Sequence, residues 1–215
     1  MNDERTPLKP YSKGEEIPHS VTHGVGAVLA VAGLVILVVL AAWRGDVWRI
    51  VSFSVYGTTL IILYLASTLY HAFPWPRLKG IFRILDHTSI YLLIAGTYTP
   101  ICLVAMRGPW GWTLFGLIWA MATGGILFKI FLIGRLKILS VVFYIAMGWL
   151  VVIAIKPMWV MLPKAAIAWI FAGGAFYTLG VIFYAMKKVR YHHAVWHAFV
   201  LCGSVTHFFA MLVIS

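Results

Sequence analysis

The chain has 215 residues, 62% hydrophobic and 11% charged, with a mean hydropathy of +0.94 and a formal net charge of +11. Such a composition excludes a soluble globular domain. Without a soluble basic face, the positive balance excludes a nucleic-acid partner and reads as membrane topology and attraction to anionic headgroups.

The first eighteen residues, with Pro7, Pro10, Pro18 and mixed charges, read as a cytoplasmic tail, which leaves 19–215 as one transmembrane domain. Seven apolar runs follow in order: Val21–Trp43, Ile50–Phe73, Ile84–Met106, Trp112–Ile133, Ile138–Ile155, Pro163–Met186 and Val189–Ile214. Each can cross a hydrocarbon core of about 30 Å at roughly 1.5 Å per helical residue. The runs must be helical, because lipid offers open backbone groups no partner and the alternation expected of barrel strands is absent. Linkers that combine charge with helix breakers separate them: Arg44-Gly45-Asp46, Pro74-Trp75-Pro76-Arg77, Arg107-Gly108-Pro109, Gly134-Arg135 and Lys156-Pro157. The predicted fold is therefore an all-α integral membrane protein, a seven-transmembrane helix bundle. The first run, about 23 residues, exceeds the roughly 7 to 15 of a signal peptide, so it is expected to stay in the mature chain.

Lysine and arginine are retained on the cytoplasmic side of a membrane, and their count assigns the sides. One side carries Arg5, Lys9, Lys13, Arg77, Lys79, Arg83, Lys129, Arg135, Lys137, Lys187, Lys188 and Arg190; the other carries only Arg44, Arg49, Arg107, Lys156 and Lys164. The amino terminus is expected in the cytoplasm and the carboxyl terminus outside. Trp43, Trp48, Trp110, Trp112 and Trp159 then fall at the outer interface, where indole rings are favoured.

Several polar residues sit where a bilayer should exclude them. Ser67 and His71 share a face near the cytoplasmic end of the second run, Asp86 opens the third, and His193 and His197 share a face at the start of the seventh. An ionised Asp in an apolar helix costs several kcal/mol unless paired, and intramembrane ionisable groups are functional candidates. Asp86 alone has a plainer reading as a helix cap, and the histidines as hydrogen-bonding partners within the bundle. A metal accounts for the whole set: Zn2+ favours imidazole nitrogen and carboxylate oxygen, and His71, His193 and His197 would supply three ligands with a fourth position left for water. Asp86 would either ligate directly or hold that water, and Ser67 would orient the water or a substrate carbonyl. Zinc in such a site activates water near neutral pH, which is hydrolytic machinery, although copper or iron also accepts imidazole.

The segments Ser67-Thr68-Leu69-Tyr70-His71, Asp86 to Pro100 and His193-Ala194-Val195-Trp196-His197 resemble the hemolysin III family, the bacterial branch of the progestin and adipoQ receptor family. The likeness runs from Glu16 to the last helix. It implies a seven-helix bundle with the amino terminus inside, a multi-pass protein of the bacterial inner membrane, metal ligands at His71, His193 and His197, an acidic water-holding position at Asp86 and the serine at Ser67. The family is grouped with alkaline ceramidases and related membrane hydrolases, so the resemblance implies hydrolysis of a lipid amide or ester, with membrane lipids as substrate or ligand. At the amino terminus, Glu16-Ile17-Pro18-His19-Ser20-Val21-Thr22-His23 is similar to the family's Glu, Asn, Thr-His pattern, with His19 in place of Asn. His23 reads there as a group behind the ligands.

His87, turned about 100° from Asp86, is expected at the interface, and His207, about 15 Å deeper than His197, against another helix. Tyr91, Thr97, Tyr98 and Thr99 read as interhelical hydrogen-bonding groups, Gly124-Gly125 and Gly173-Gly174 as close helix contacts, and Cys102 and Cys202 as free thiols. Three function classes stay open: a zinc hydrolase of membrane lipid, a sensor or regulator of membrane state stapled by zinc, and a cytolytic pore former. A closed set of four protein ligands favours the second. The third fits poorly, because the polar residues gather at one end of the bundle.

Overall fold

The computed structural model describes residues 11–131 and 137–215; the tail cations Arg5 and Lys9 and the Gly134-Arg135 linker lie outside the described residues. Eight α-helices appear: α1 (Lys13–Trp43), α2 (Val47–Ala72), α3 (Pro76–Pro100), α4 (Pro109–Phe131), α5 (Lys137–Gly148), α6 (Ile155–Met161), α7 (Lys164–Ala185) and α8 (His192–Ile214). With α3 extended to Ala105, and α5 and α6 joined, they make seven helices long and apolar enough to cross a membrane.

α1 begins eight residues before the apolar run that marks it in the sequence. Ser12 directs its backbone N–H and its hydroxyl to the Glu15 carboxylate, at 3.0 and 2.7 Å, the half of a capping box in which the side chain at N3 accepts from the N-cap residue. Glu16, Pro18 and His19 are thereby helical. α2 is capped by Asp46, whose carboxylate accepts from the N–H groups of Trp48 and Arg49. α3 opens on Pro76, where a missing N–H costs nothing. At its far end Pro100 cannot donate to the preceding turn, and the backbone widens into a π-helical stretch, Ile101–Ala105, closed by Met106 N–H to Ile101 carbonyl at 2.9 Å.

The fifth span breaks just ahead of Pro157, which has no N–H for the Ile153 carbonyl four residues before it, and the Lys156-Pro157 pair read as a linker lies inside the span. After Gly148 the backbone tightens into a 3-10 stretch, Leu150–Ala154, before α6 resumes. The break is repaired from α3: the Tyr98 hydroxyl lies 3.1 and 3.0 Å from the carbonyls of Met147 and Gly148, and it accepts the Val151 N–H at 2.8 Å. Freed backbone groups are tolerated in lipid only where protein satisfies them. Tyr98→Phe is expected to destabilise the bundle by about 1–3 kcal/mol, the cost of leaving buried backbone groups unpaired, measurable as a lower melting temperature in detergent.

The remaining expectations resolve in detail. Gly125 and Gly173 make the close approaches, against the Tyr91 ring and the His207 ring, while Gly124 faces open space. His207 Nε2 lies 3.1 Å from the Ile170 carbonyl of α7, and both cysteines are free thiols. Thr99 accepts from the Trp119 indole at 3.1 Å, linking α3 to α4. Trp43, Trp48, Trp110, Trp112 and Trp159 are exposed at the end of the bundle away from the amino terminus. α1 packs against α2 and α8 and turns Val28, Val35 and much of its length outward. That packing brings the start of α1, the end of α2 and the start of α8 together at one end of the molecule.

Candidate metal centre

His71 is the penultimate residue of α2, and His193 and His197 occupy the first two turns of α8. All three are buried, and one nitrogen from each lies within 4.8 Å of the others. The His193 and His197 Nε2 atoms are 3.1 Å apart. Two nitrogens bound to one tetrahedral ion at about 2.0–2.1 Å lie about 3.3–3.4 Å apart, so the spacing suits a zinc-sized ion.

Hydrogen bonds fix which nitrogens face inward. A carbonyl oxygen only accepts, so His197 Nδ1, 3.1 Å from the His19 carbonyl, is the protonated nitrogen and Nε2 carries the lone pair. His71 Nδ1 lies 2.6 Å from the Glu16 carboxylate and donates to it, which leaves Nε2 buried, unprotonated and without a hydrogen-bond partner. The other Glu16 oxygen takes the Lys79 ammonium at 2.5 Å. A carboxylate behind a ligating imidazole orients the ring and raises its basicity. The donor set therefore fits a divalent metal, with the lone pairs of His71 and His197 already directed. Glu16→Ala should weaken zinc affinity by about 10- to 100-fold, as read by competition with a chromogenic chelator.

The other predicted residues are placed around this centre. His23 is buried and lies face to face with the His197 ring, centroids 3.6 Å apart and planes 10° from parallel, so it backs that ring. Ser67 is fully buried four residues before His71, and among the described residues its hydroxyl has no hydrogen-bond partner. Asp86 stands outside the group of converging nitrogens, 3.7 Å from His87 Nδ1. His87 turns Nδ1 to the Arg83 carbonyl at 2.7 Å and is partly exposed.

Two residues of the centre were not assigned to it from sequence. Glu16 joins the histidine cluster through His71, and His19 lies in its middle, fully buried. The sequence signal was the Ser12 to Glu15 capping pattern, which carries the helix back to Lys13 and sets Glu16, His19 and His23 three and four residues apart along one face. Tyr11 covers the cluster from the amino-terminal side, stacked on His193 at 5.3 Å and edge-on to His19 at 4.7 Å. Burial of its hydroxyl pushes its pKa up, so it stays neutral there.

The chain matches the family model described as Haemolysin-III related over residues 11–208. It is 47% identical over 198 residues to the Hemolysin-3 homolog of Bacillus subtilis (strain 168), covering 92% of this chain and 93% of that one. It is 46% identical over 212 residues to Hemolysin-3 of Bacillus cereus, covering 99% and 96%. More distantly, it is 27% identical over 203 residues to the Monocyte to macrophage differentiation factor of Homo sapiens, covering 92% and 83%. With seven membrane-spanning helices, a histidine cluster joining the first, second and last of them, and near-complete coverage of these relatives, the chain belongs to the haemolysin-III related family of membrane proteins.

Proposed function

We propose that the protein is a zinc-dependent hydrolase of a lipid amide or ester, set in the bacterial inner membrane with its amino terminus and its site on the cytoplasmic side. The observation that carries this reading is the convergence of the buried His71, His193 and His197 nitrogens, two of them freed for a metal by hydrogen bonds to their opposite nitrogens. Zinc held there would lower the pKa of water and polarise a carbonyl oxygen.

The chain's own groups divide the rest of the work. Glu16 and the His19 carbonyl hold the His71 and His197 rings in orientation, and the His23 ring backs His197. In this reading Asp86 positions the attacking water and takes its proton on a carboxylate oxygen, and the Ser67 hydroxyl donates to the substrate carbonyl. Depth supports a lipid substrate: the ligands sit in the terminal turns of α2 and α8, at the level where hydrocarbon meets headgroup and where the amide or ester links of lipids lie.

Detergent-purified protein is expected to carry one zinc per chain by elemental analysis. A variant with His71, His193 and His197 all changed to alanine should carry none, and it should lose hydrolysis of any member of a lipid amide and ester panel that the parent cleaves. A folded parent without stoichiometric metal would overturn the reading. A parent with zinc but no turnover across the panel would move it to the second class, a sensor of membrane state. The depth and burial of His19 give that second class its own support. Cytolysis is the activity named in two relatives; the clustering of this chain's buried histidines at one end gives it no path through the bundle.

A further inference from the structure

His19 is the one histidine of the cluster that the metal reading leaves without a task. It is fully buried, and among the described residues neither ring nitrogen has a hydrogen-bond partner, the Glu16 carboxylate lying 3.9 Å from Nδ1. A buried imidazole with no hydrogen bond on either nitrogen is costly, which makes it a candidate to bind the same ion as its neighbours. Its backbone already serves the site, since its carbonyl orients His197.

The rings themselves locate that partner. The centroids of His71, His193 and His197 lie 5.2, 5.2 and 4.5 Å apart, and that of His19 lies 4.8, 4.9 and 5.6 Å from the same three. Four imidazoles around one tetrahedral ion place their ring centroids about 5 Å from one another. The six separations therefore put the His19 ring at the fourth corner of a slightly distorted tetrahedron, while its donor nitrogen groups with Glu16 and His71, so ligation requires the ring to turn toward His193 and His197. His23, also without hydrogen bonds on its ring, fails the same test: at 3.6 Å and nearly parallel to His197, it covers a ligand's face and occupies no corner. Above His19 and His193 the Tyr11 ring closes the approach from the amino-terminal side.

Resting on the metal centre proposed above, we infer that His19 is a fourth nitrogen ligand, which occupies the open position in the resting protein and must leave before water or a lipid carbonyl can enter. Its place on α1 suits such a role. His71, His193 and His197 stand on α2 and α8, so the His19 ring can swing aside on α1 while the Glu16 carboxylate and the His19 carbonyl keep their hold on His71 and His197. The site would then be regulated by what draws that ring aside.

The test uses full-length protein in detergent loaded with Co2+, whose visible bands report coordination number and exogenous ligands. The parent should bind one Co2+ per chain with bands that azide does not alter. His19→Asn, which keeps a polar group but shortens its reach, should bind Co2+ about tenfold or more weakly, with bands that azide shifts. X-ray absorption of the zinc-loaded parent, which needs no variant, should count four imidazoles. Three imidazoles, or azide-sensitive bands in the parent, would overturn the role of His19 and leave the metal centre standing. No Co2+ or Zn2+ in the folded parent would overturn both.

Discussion

Replacing His197 with alanine is expected to abolish stoichiometric zinc binding while leaving the bundle folded. Complete zinc sites of small proteins are held by about 10–16 kcal/mol, so one nitrogen of three or four carries about 3 kcal/mol or more, beyond a hundredfold in Kd. The residue is also a structural joint. Its Nδ1 is bound to the His19 carbonyl of α1, and its ring is covered by His23, so both partners are stranded when it goes. His23→Ala is the matched control: it removes the covering ring and no lone pair from the centre, and should keep metal. Elemental analysis of the two variants beside the parent decides the matter. Zinc lost equally from both would place His23 among the ligands.

Asp86→Asn is expected to do the opposite, retaining zinc and lowering turnover by about 10²- to 10⁴-fold, the usual contribution of a positioned general base. The substitution is isosteric, and Asp86 stands outside the converging nitrogens, so neither packing nor ligation should suffer. What changes is the group that takes the proton of the attacking water in the proposed reaction. Zinc content and hydrolysis must be read on the same preparation. Metal loss matching that of His197→Ala would make Asp86 a ligand instead of a base.

These two residues also mark the boundary of what the chain declares in its letters. The seven spans are legible because lipid forbids unpaired backbone, so an apolar run of sufficient length has one outcome. His193 and His197 are legible because a spacing of four puts two imidazoles on one face, and His71 because few other polar groups share its depth. Glu16 and His19 were hidden by their neighbours: they precede the apolar run, in a stretch whose proline and charges suggest a tail, and only the Ser12 cap extends the helix through them. The break in the fifth span was half legible. Pro157 announces an interruption, but the sequence places it as a linker; that the chain instead runs on through Leu150–Ala154 depends on the Tyr98 hydroxyl of another helix, which offers the loosened backbone a partner. Local signals report where a helix can start or loosen, and not which distant segment makes the loosening tolerable.

The contact between the His19 carbonyl and the His197 imidazole spans 178 positions, joining the first of the seven spans with the last. Bringing such distant segments together requires closing nearly the whole chain, the slowest kind of contact to form. Until α8 has entered the bilayer, α1 holds buried histidines that have nothing to face, so a chain interrupted before its final span carries the penalty of the site without its reward. An ion taken up at the proposed centre would therefore have to wait for α8, and its retention would record that the first, second and last spans had met.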